Sequence, residues 1–260
     1  MRKLSIAVIC LFLALTAWTQ QAQAPVEITS ETSHHQVLDN MFVRVFAVSV
    51  DPGKSSLMHR HGHDYLSVSI GDATITNTKE GAQPVAVNFK DGDVRFTAAP
   101  LVHAVGNTGD KPFRNRTIEI MQPTSNAKAC TESCAVPVPC DSADKAACAT
   151  VTKLFTADQW SVTMVTLPPG AKYAQHTHLA NFLNVPLADA DITVKNQDQP
   201  ETVVHNKTGE VTWNNPVVHT VTNTGKTTAK VVVLEFRGRP AGEGSESAAP
   251  KDASKPHDHE

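Results

Sequence analysis

Gly53-Lys54-Ser55-Ser56-Leu57-Met58-His59-Arg60-His61-Gly62-His63-Asp64 is the stretch that decides the fold. Histidines stand at alternate positions and an acid follows them directly. On an extended strand, side chains two residues apart share a face and lie about 7 Å apart along the chain. His59 and His61 can therefore turn toward one point. Leu66, Val68 and Ile70 alternate immediately downstream and predict the next strand. Their alternation places Asp64 on the same face, which is expected to be the inner one. An unpaired charge buried there costs several kcal/mol, so a cation is its natural partner. A further imidazole, His103, follows Gly92-Asp93-Val94-Arg95-Phe96-Thr97-Ala98-Ala99-Pro100-Leu101-Val102.

The whole arrangement occurs twice. Gly53–Ile70 lies over Gly170–Leu187 without a gap, so that His59 falls on His176, His61 on His178, Asp64 on Asn181 and Leu66 on Leu183. One residue is then lost, after which Pro100 falls on Pro216, His103 on His219, Asn107-Thr108-Gly109 on Asn223-Thr224-Gly225, and Glu119 on Glu235. The interval is too long for a solenoid repeat of about 20–50 residues and implies two homologous domains.

Short runs rich in β-branched and aromatic residues fill both halves, beginning with Val43-Arg44-Val45-Phe46-Ala47-Val48-Ser49-Val50. Turn residues such as Asp51-Pro52-Gly53, Gly71-Asp72 and Asp91-Gly92 separate them. This pattern predicts antiparallel sandwiches or barrels. Residues 25–36 read as a polar arm, 37–122 as the first domain and 151–238 as the second. Between the domains, 123–150 carries Cys130, Cys134, Cys140 and Cys148 with Pro137 and Pro139. It reads as a linker stapled by two disulfides, with all three pairings open. Residues 239–260, rich in Gly, Ser, Ala, Pro and charge, read as a disordered tail.

Met1 to Ala24 has a basic start at Arg2 and Lys3, an apolar run to Trp18, and small residues at Ala22-Gln23-Ala24. This is the pattern of a cleaved secretory signal, too short for a membrane span. A secreted or periplasmic protein is expected, and disulfides suit such a compartment. The net charge of −3 makes no electrostatic case for nucleic acid or an anionic membrane. The chain has no G-x-S-x-G elbow, phosphate-binding glycine loop or H-E-x-x-H helix, so any chemistry belongs to a metal.

The strings Gly53-x5-His59-x-His61 and Gly92-x10-His103-x3-Asn107, repeated as Gly170-x5-His176-x-His178 and Gly209-x9-His219-x3-Asn223, resemble the two signature motifs of the cupin superfamily. The resemblance covers both halves and implies an all-β bicupin, two tandem jelly-roll barrels joined by the Cys-rich loop. His59-Arg60-His61-Gly62-His63-Asp64-Tyr65 further resembles small single-domain cupins assigned to β-alanine degradation. Cupins usually carry a glutamate a few residues after the second histidine; Asp64 or Tyr65 takes that place, and alternation selects Asp64. The expected ligands are His59, His61, Asp64 and His103 in the first barrel, and His176, His178, Asn181 and His219 in the second. Asn181 brings no charge, which makes the second site the weaker one.

Nitrogen and oxygen donors of this kind suit a divalent Fe, Mn, Ni, Cu or Zn ion. Tyr65 and Phe182 are expected on outer or packing faces. Glu119 and Glu235, flanked by apolar neighbours, are expected to face away from the core. The resemblance implies an oxidoreductase of the dioxygenase type acting on a small organic acid or phenolic compound. The competing reading is a non-catalytic cupin that binds a metabolite or metal, with a degenerate second site. The expected partner is a small molecule, with no nucleic acid and no membrane after signal cleavage; a homo-oligomer is compatible with the sequence.

Overall fold

The computed structural model describes residues 24–140 and 142–237. The expected signal, Ala24 apart, and the expected tail 239–260 lie outside the described residues. Helical turns among the described residues are two 3-10 segments, Ile28–Ser30 and Lys145–Ala147, and everything regular besides is β. No helix among these residues is long and apolar enough to cross a membrane.

The first half contains β1 (Val26–Glu27), β2 (His34–Asp39), β3 (Val43–Val50), β4 (His59–His61), β5 (Tyr65–Ser69), β6 (Ala73–Lys79), β7 (Val85–Phe89), β8 (Val94–Thr97), β9 (Leu101–Asn107) and β10 (Phe113–Ile120). They form two facing sheets, ordered β1-β4-β9-β6-β7 and β2-β3-β10-β5-β8. The linker adds β11 (Lys128–Ala129) and β12 (Ala135–Val136). The second half contains β13 (Thr150–Thr156), β14 (Trp160–Leu167), β15 (Lys172–His178), β16 (Phe182–Pro186), β17 (Ala190–Asn196), β18 (Thr202–Asn206), β19 (Thr212–Asn214), β20 (Val217–Asn223) and β21 (Ala229–Phe236). Its sheets run β11-β13-β14-β21-β16-β19, with β12 also on β13, and β15-β20-β17-β18. Each half is a jelly roll.

Matching residues do matching work in the two barrels. Gly53 and Gly170 turn the chain at φ of 70° and 77°, a region costly for any side chain. Asn107 donates to Val50 O and Lys111 O while accepting from Gly109 N; Asn223 does the same with Leu167 O, Thr227 O and Gly225 N. The shared asparagine is thus a clamp that satisfies buried backbone groups at the end of its strand.

The two barrels pack on one another through a common apolar core. Val43, Val45, Leu66, Val68, Ile118 and Ile120 from the first meet Trp160, Val162, Leu183, Val185, Val232 and Leu234 from the second. At the seam, Arg116 Nε donates to Gly209 O and Lys230 Nζ to Asp91 O. The polarity expected for β5 is therefore inverted. Leu66, Val68 and Ile70 face the neighbouring barrel, whereas Tyr65, Ser67 and Ser69 face their own interior. A strand buried on both sides has a period without a polarity contrast, so alternation identifies the faces but not which one is inner.

Two further differences bear on the site. Residues read as a polar arm are built into the barrel: β1 runs parallel to β4 with Val26 opposite His59, and β2 pairs with β3 with His34 opposite Val48. The linker closes two local bridges, Cys130–Cys134 and Cys140–Cys148, while β11 and β12 lie along β13.

Candidate metal centre

The register of β4 on β9 puts His59 opposite His103, and the neighbouring His61 opposite Leu101. All three imidazoles point into the first barrel, and the rings of His59 and His61 are 0% and 1% exposed. His34, from β2, joins them. The His59 ring lies 4.6 Å from both His34 and His103, and the His61 ring 6.2 Å and 5.1 Å from them. His34, His59 and His61 each offer a nitrogen within 4.8 Å of the others, and His103 Nε2 lies 3.1 Å from His61 Nε2.

Three of the four rings are held from behind. His59 Nδ1 donates to Leu57 O at 2.8 Å, His103 Nδ1 to Asn77 Oδ1 at 2.8 Å, and His34 Nδ1 contacts Glu31 Oε2 at 2.5 Å. His61 Nδ1 faces Glu119 Oε1 at 3.7 Å, too long for a hydrogen bond. A neutral imidazole that donates through Nδ1 has an unprotonated Nε2. The inner nitrogens of His34, His59 and His103 therefore carry lone pairs, while His61, with Nδ1 unpaired, can either donate through Nε2 to His103 Nε2 at 3.1 Å or turn a lone pair toward a cation. His59 Nε2, His61 Nδ1 and both oxygens of Glu119 are buried without a hydrogen-bond partner. Donor chemistry and orphaned atoms together fit a divalent ion. Burial, reinforced by neighbouring imidazoles, pushes His59 down to about 4, His61 to about 3 and His103 to about 2. These rings are neutral at pH 7, the form that ligates.

Asp64 is not in the cluster. Its Oδ1 accepts the Ala99 N–H at 2.7 Å, and its backbone O accepts from Ile120 N. The reason is the inverted parity of β5: the face that Asp64 shares with Leu66 leads away from the lumen. Asn181 departs in the same way, donating to Asn214 O and to Asn215 Oδ1. Tyr65, expected on an outer face, instead stacks on His61 at 4.1 Å inside the barrel, and Phe182 stacks on His178 at 3.9 Å.

The carboxylate comes from a different strand. Glu119 lies opposite Tyr65 in the β10–β5 register, is 1% exposed, and points inward rather than away from the core. Burial raises its carboxyl above the usual range against the pull of His63 and Arg44. Its coincidence with Glu235 across the repeat was the available signal; the apolar neighbours Ile118 and Ile120 misled because they face the second barrel. His34 left no such signal, since the repeat has Val151 in its place.

The second barrel gathers His176, His178 and His219, with nitrogens again within 4.8 Å. His176 Nδ1 donates to Ala174 O at 2.9 Å, His178 Nδ1 meets Glu235 Oε2 at 3.1 Å, and the Nε2 atoms of His176 and His219 are 3.0 Å apart. Burial and the two neighbouring rings lower His219 to about 4, and burial lowers His176 as well. All three histidines are less buried than their counterparts. The first barrel adds a cavity of about 250 Å³ lined by His61, Tyr65, Asn77, Lys79, Arg95 and His103 among others, with no acidic residue in its wall.

Two jelly rolls in one chain, each with inward histidines on its two motif strands, make up the bicupin architecture. No family model matches the chain and no curated protein matches its sequence. Solved structures do match. A putative glyoxylate-induced protein from Pseudomonas aeruginosa aligns over 83% of this chain and 84% of its own, with 14% identity and a TM-score of 0.58. Oxalate decarboxylase from Bacillus subtilis aligns over 81% and 78%, with 13% identity and a TM-score of 0.53. AerE from Microcystis aeruginosa aligns over 82% and 98%, with 10% identity and a TM-score of 0.52. At such identities the likeness shows the fold, which is that of two cupin barrels in tandem.

Proposed function

We propose that this chain is an exported, metal-dependent enzyme whose chemistry resides in the first barrel, acting as an oxidoreductase on a small organic acid. One observation carries the reading: buried neutral imidazoles, those of His34, His59 and His103 anchored through Nδ1, gather their remaining nitrogens with His61 beside a cavity of about 250 Å³. His59, His61 and His103 would hold the ion, and Glu119 would orient His61 as Glu235 orients His178. A bound divalent metal supplies Lewis acidity or one-electron chemistry to an oxygen ligand.

Around it, Lys79 and Arg95 at the cavity wall favour an anion over a neutral phenol. Burial holds the Tyr65 hydroxyl above its ordinary value, so it keeps its proton and can donate a hydrogen bond into the cavity. In the second barrel the corresponding residues are Asn196, Thr212 and Phe182, which offer neither cation nor phenolic hydroxyl. That contrast supports chemistry in the first barrel and a binding or architectural role for the second. The Bacillus oxalate decarboxylase, described with Mn(II) centres, is a case of the same fold holding manganese. Export is supported by the leader-like sequence at 1–24 and by the two bridges in the linker.

The test is metal analysis of the purified chain, followed by O2 uptake and CO2 release with oxalate, malonate, other small acids and catechols. Expected are stoichiometric metal and turnover of an acid that His59→Ala abolishes. Stoichiometric metal with no turnover of any class would instead favour a binding protein, and absence of metal would overturn the proposal.

A further inference from the structure

We propose that His34 is a fourth imidazole ligand of the first barrel, positioned by Glu31, so that this barrel holds its ion with four nitrogens and the second with three. The inference rests on the metal-dependent reading above and concerns a residue outside both histidine motifs.

Three observations carry it. First, His34 is delivered to the cluster by pairing: its position opposite Val48 turns the ring inward, 4.6 Å from the His59 ring. Second, its Nδ1 is occupied by Glu31, which leaves Nε2 as the nitrogen free to ligate. Third, Glu31 is itself fixed. Its side chain is fully buried, and its oxygens accept from Ser33 N, Ser33 Oγ and Leu57 N as well. Leu57 links two ligands mechanically, because its N–H donates to Glu31 while its O accepts from His59 Nδ1. A carboxylate behind a histidine is the arrangement that fixes tautomer and ring direction at metal sites.

Charge agrees. Four neutral imidazoles bring none, but Glu31 behind His34 and Glu119 behind His61 place two carboxylates around the cluster, matching a divalent ion. In the second barrel Val151 replaces His34, pairing with Val165 as His34 pairs with Val48, and Cys148 replaces Glu31 and is tied into a bridge. The fourth nitrogen is thus a property of one barrel only. With four nitrogens bound, a six-coordinate ion would keep at most two positions for other ligands.

Co(II) serves as the probe, in full-length protein carrying His176→Ala and His219→Ala to silence the second barrel. Affinity is read by chelator competition and coordination by the visible spectrum. Expected is one Co(II) per chain, weakened at least about 10-fold by His34→Phe with a changed spectrum. Glu31→Gln should weaken it about 10- to 100-fold, as loss of such a partner does elsewhere. His34→Phe fills the ring volume; should it fail to fold, His34→Gln takes its place. Binding within twofold of the parent and an unchanged spectrum would overturn His34 as a ligand while leaving the metal centre standing. No Co(II) in the parent would overturn both.

Discussion

Replacing Glu119 by Gln should move the metal-free and the metal-loaded protein in opposite directions. The carboxylate is buried with both oxygens unpaired, 3.7 Å from His61 Nδ1 and 3.9 Å from Arg44. A buried, unsatisfied polar group costs about 1–3 kcal/mol, and a charged one more. Glutamine keeps the shape and removes the charge but remains a buried polar group, so the metal-free variant should gain only the excess cost of the charge, on the order of 1 kcal/mol at pH 7. The sign has a pH signature. Burial raises the folded carboxyl above its usual value of 4.5, so ionisation opposes folding only above that pH. The gain should be full near neutrality and vanish near pH 4, where both states are protonated. With metal bound, the carboxylate faces a ligand of a divalent cation, and its loss should weaken binding about 10- to 100-fold. Urea unfolding at pH 7 and pH 4, with and without Mn(II), reads all of this. A variant destabilised at pH 7 without metal, or with unaltered metal affinity, would refute the account of Glu119 as an orphaned charge awaiting a cation.

Other expectations follow from the same geometry. Asp64→Ala should leave metal content unchanged and cost about 1 kcal/mol in unfolding experiments, because it removes only the acceptor of the Ala99 N–H. Metal-free protein should lose stability as pH falls from about 6.5 toward 4, since His59, His61 and His103 stay neutral in the fold while the unfolded chain takes up protons. Each contributes a slope of about 1.4 kcal/mol per pH unit, and proton uptake on unfolding at pH 5 measures it. Leu183→Ala, at a fully buried position between the barrels, should cost about 2–5 kcal/mol. Because that core is shared, calorimetry should show one transition for both halves; two separated transitions would contradict it.

Periodicity and the internal repeat were enough to read two barrels and six inward histidines from the chain alone. His59, His61 and His103, and their copies His176, His178 and His219, follow from strand geometry and from motif spacing that one strand pair can satisfy. The linker could be read as bridged because its cysteines are local; which pairs form depends on how the loop folds against β13. The fate of the acids was not legible. Asp64 and Glu119 each sit beside alternating aliphatic residues, and alternation tells which positions share a face without telling which face is inside. That is decided when the outer faces of β3, β5 and β10 find those of β14, β16 and β21, making Leu66 and Ile118 seam residues and turning Tyr65 and Glu119 inward.

His34 is the other extreme. It is a lone imidazole in a polar stretch, without a motif, and only its pairing with β3 brings it to the cluster. The sequence by itself determined the two-barrel frame and the motif histidines, because both are encoded in local spacing of two residues and in a repeat. Tertiary structure alone decided the second acid and the extra histidine, because a side chain's partner across a barrel is set by strand registry between distant segments and by which sheet faces are covered.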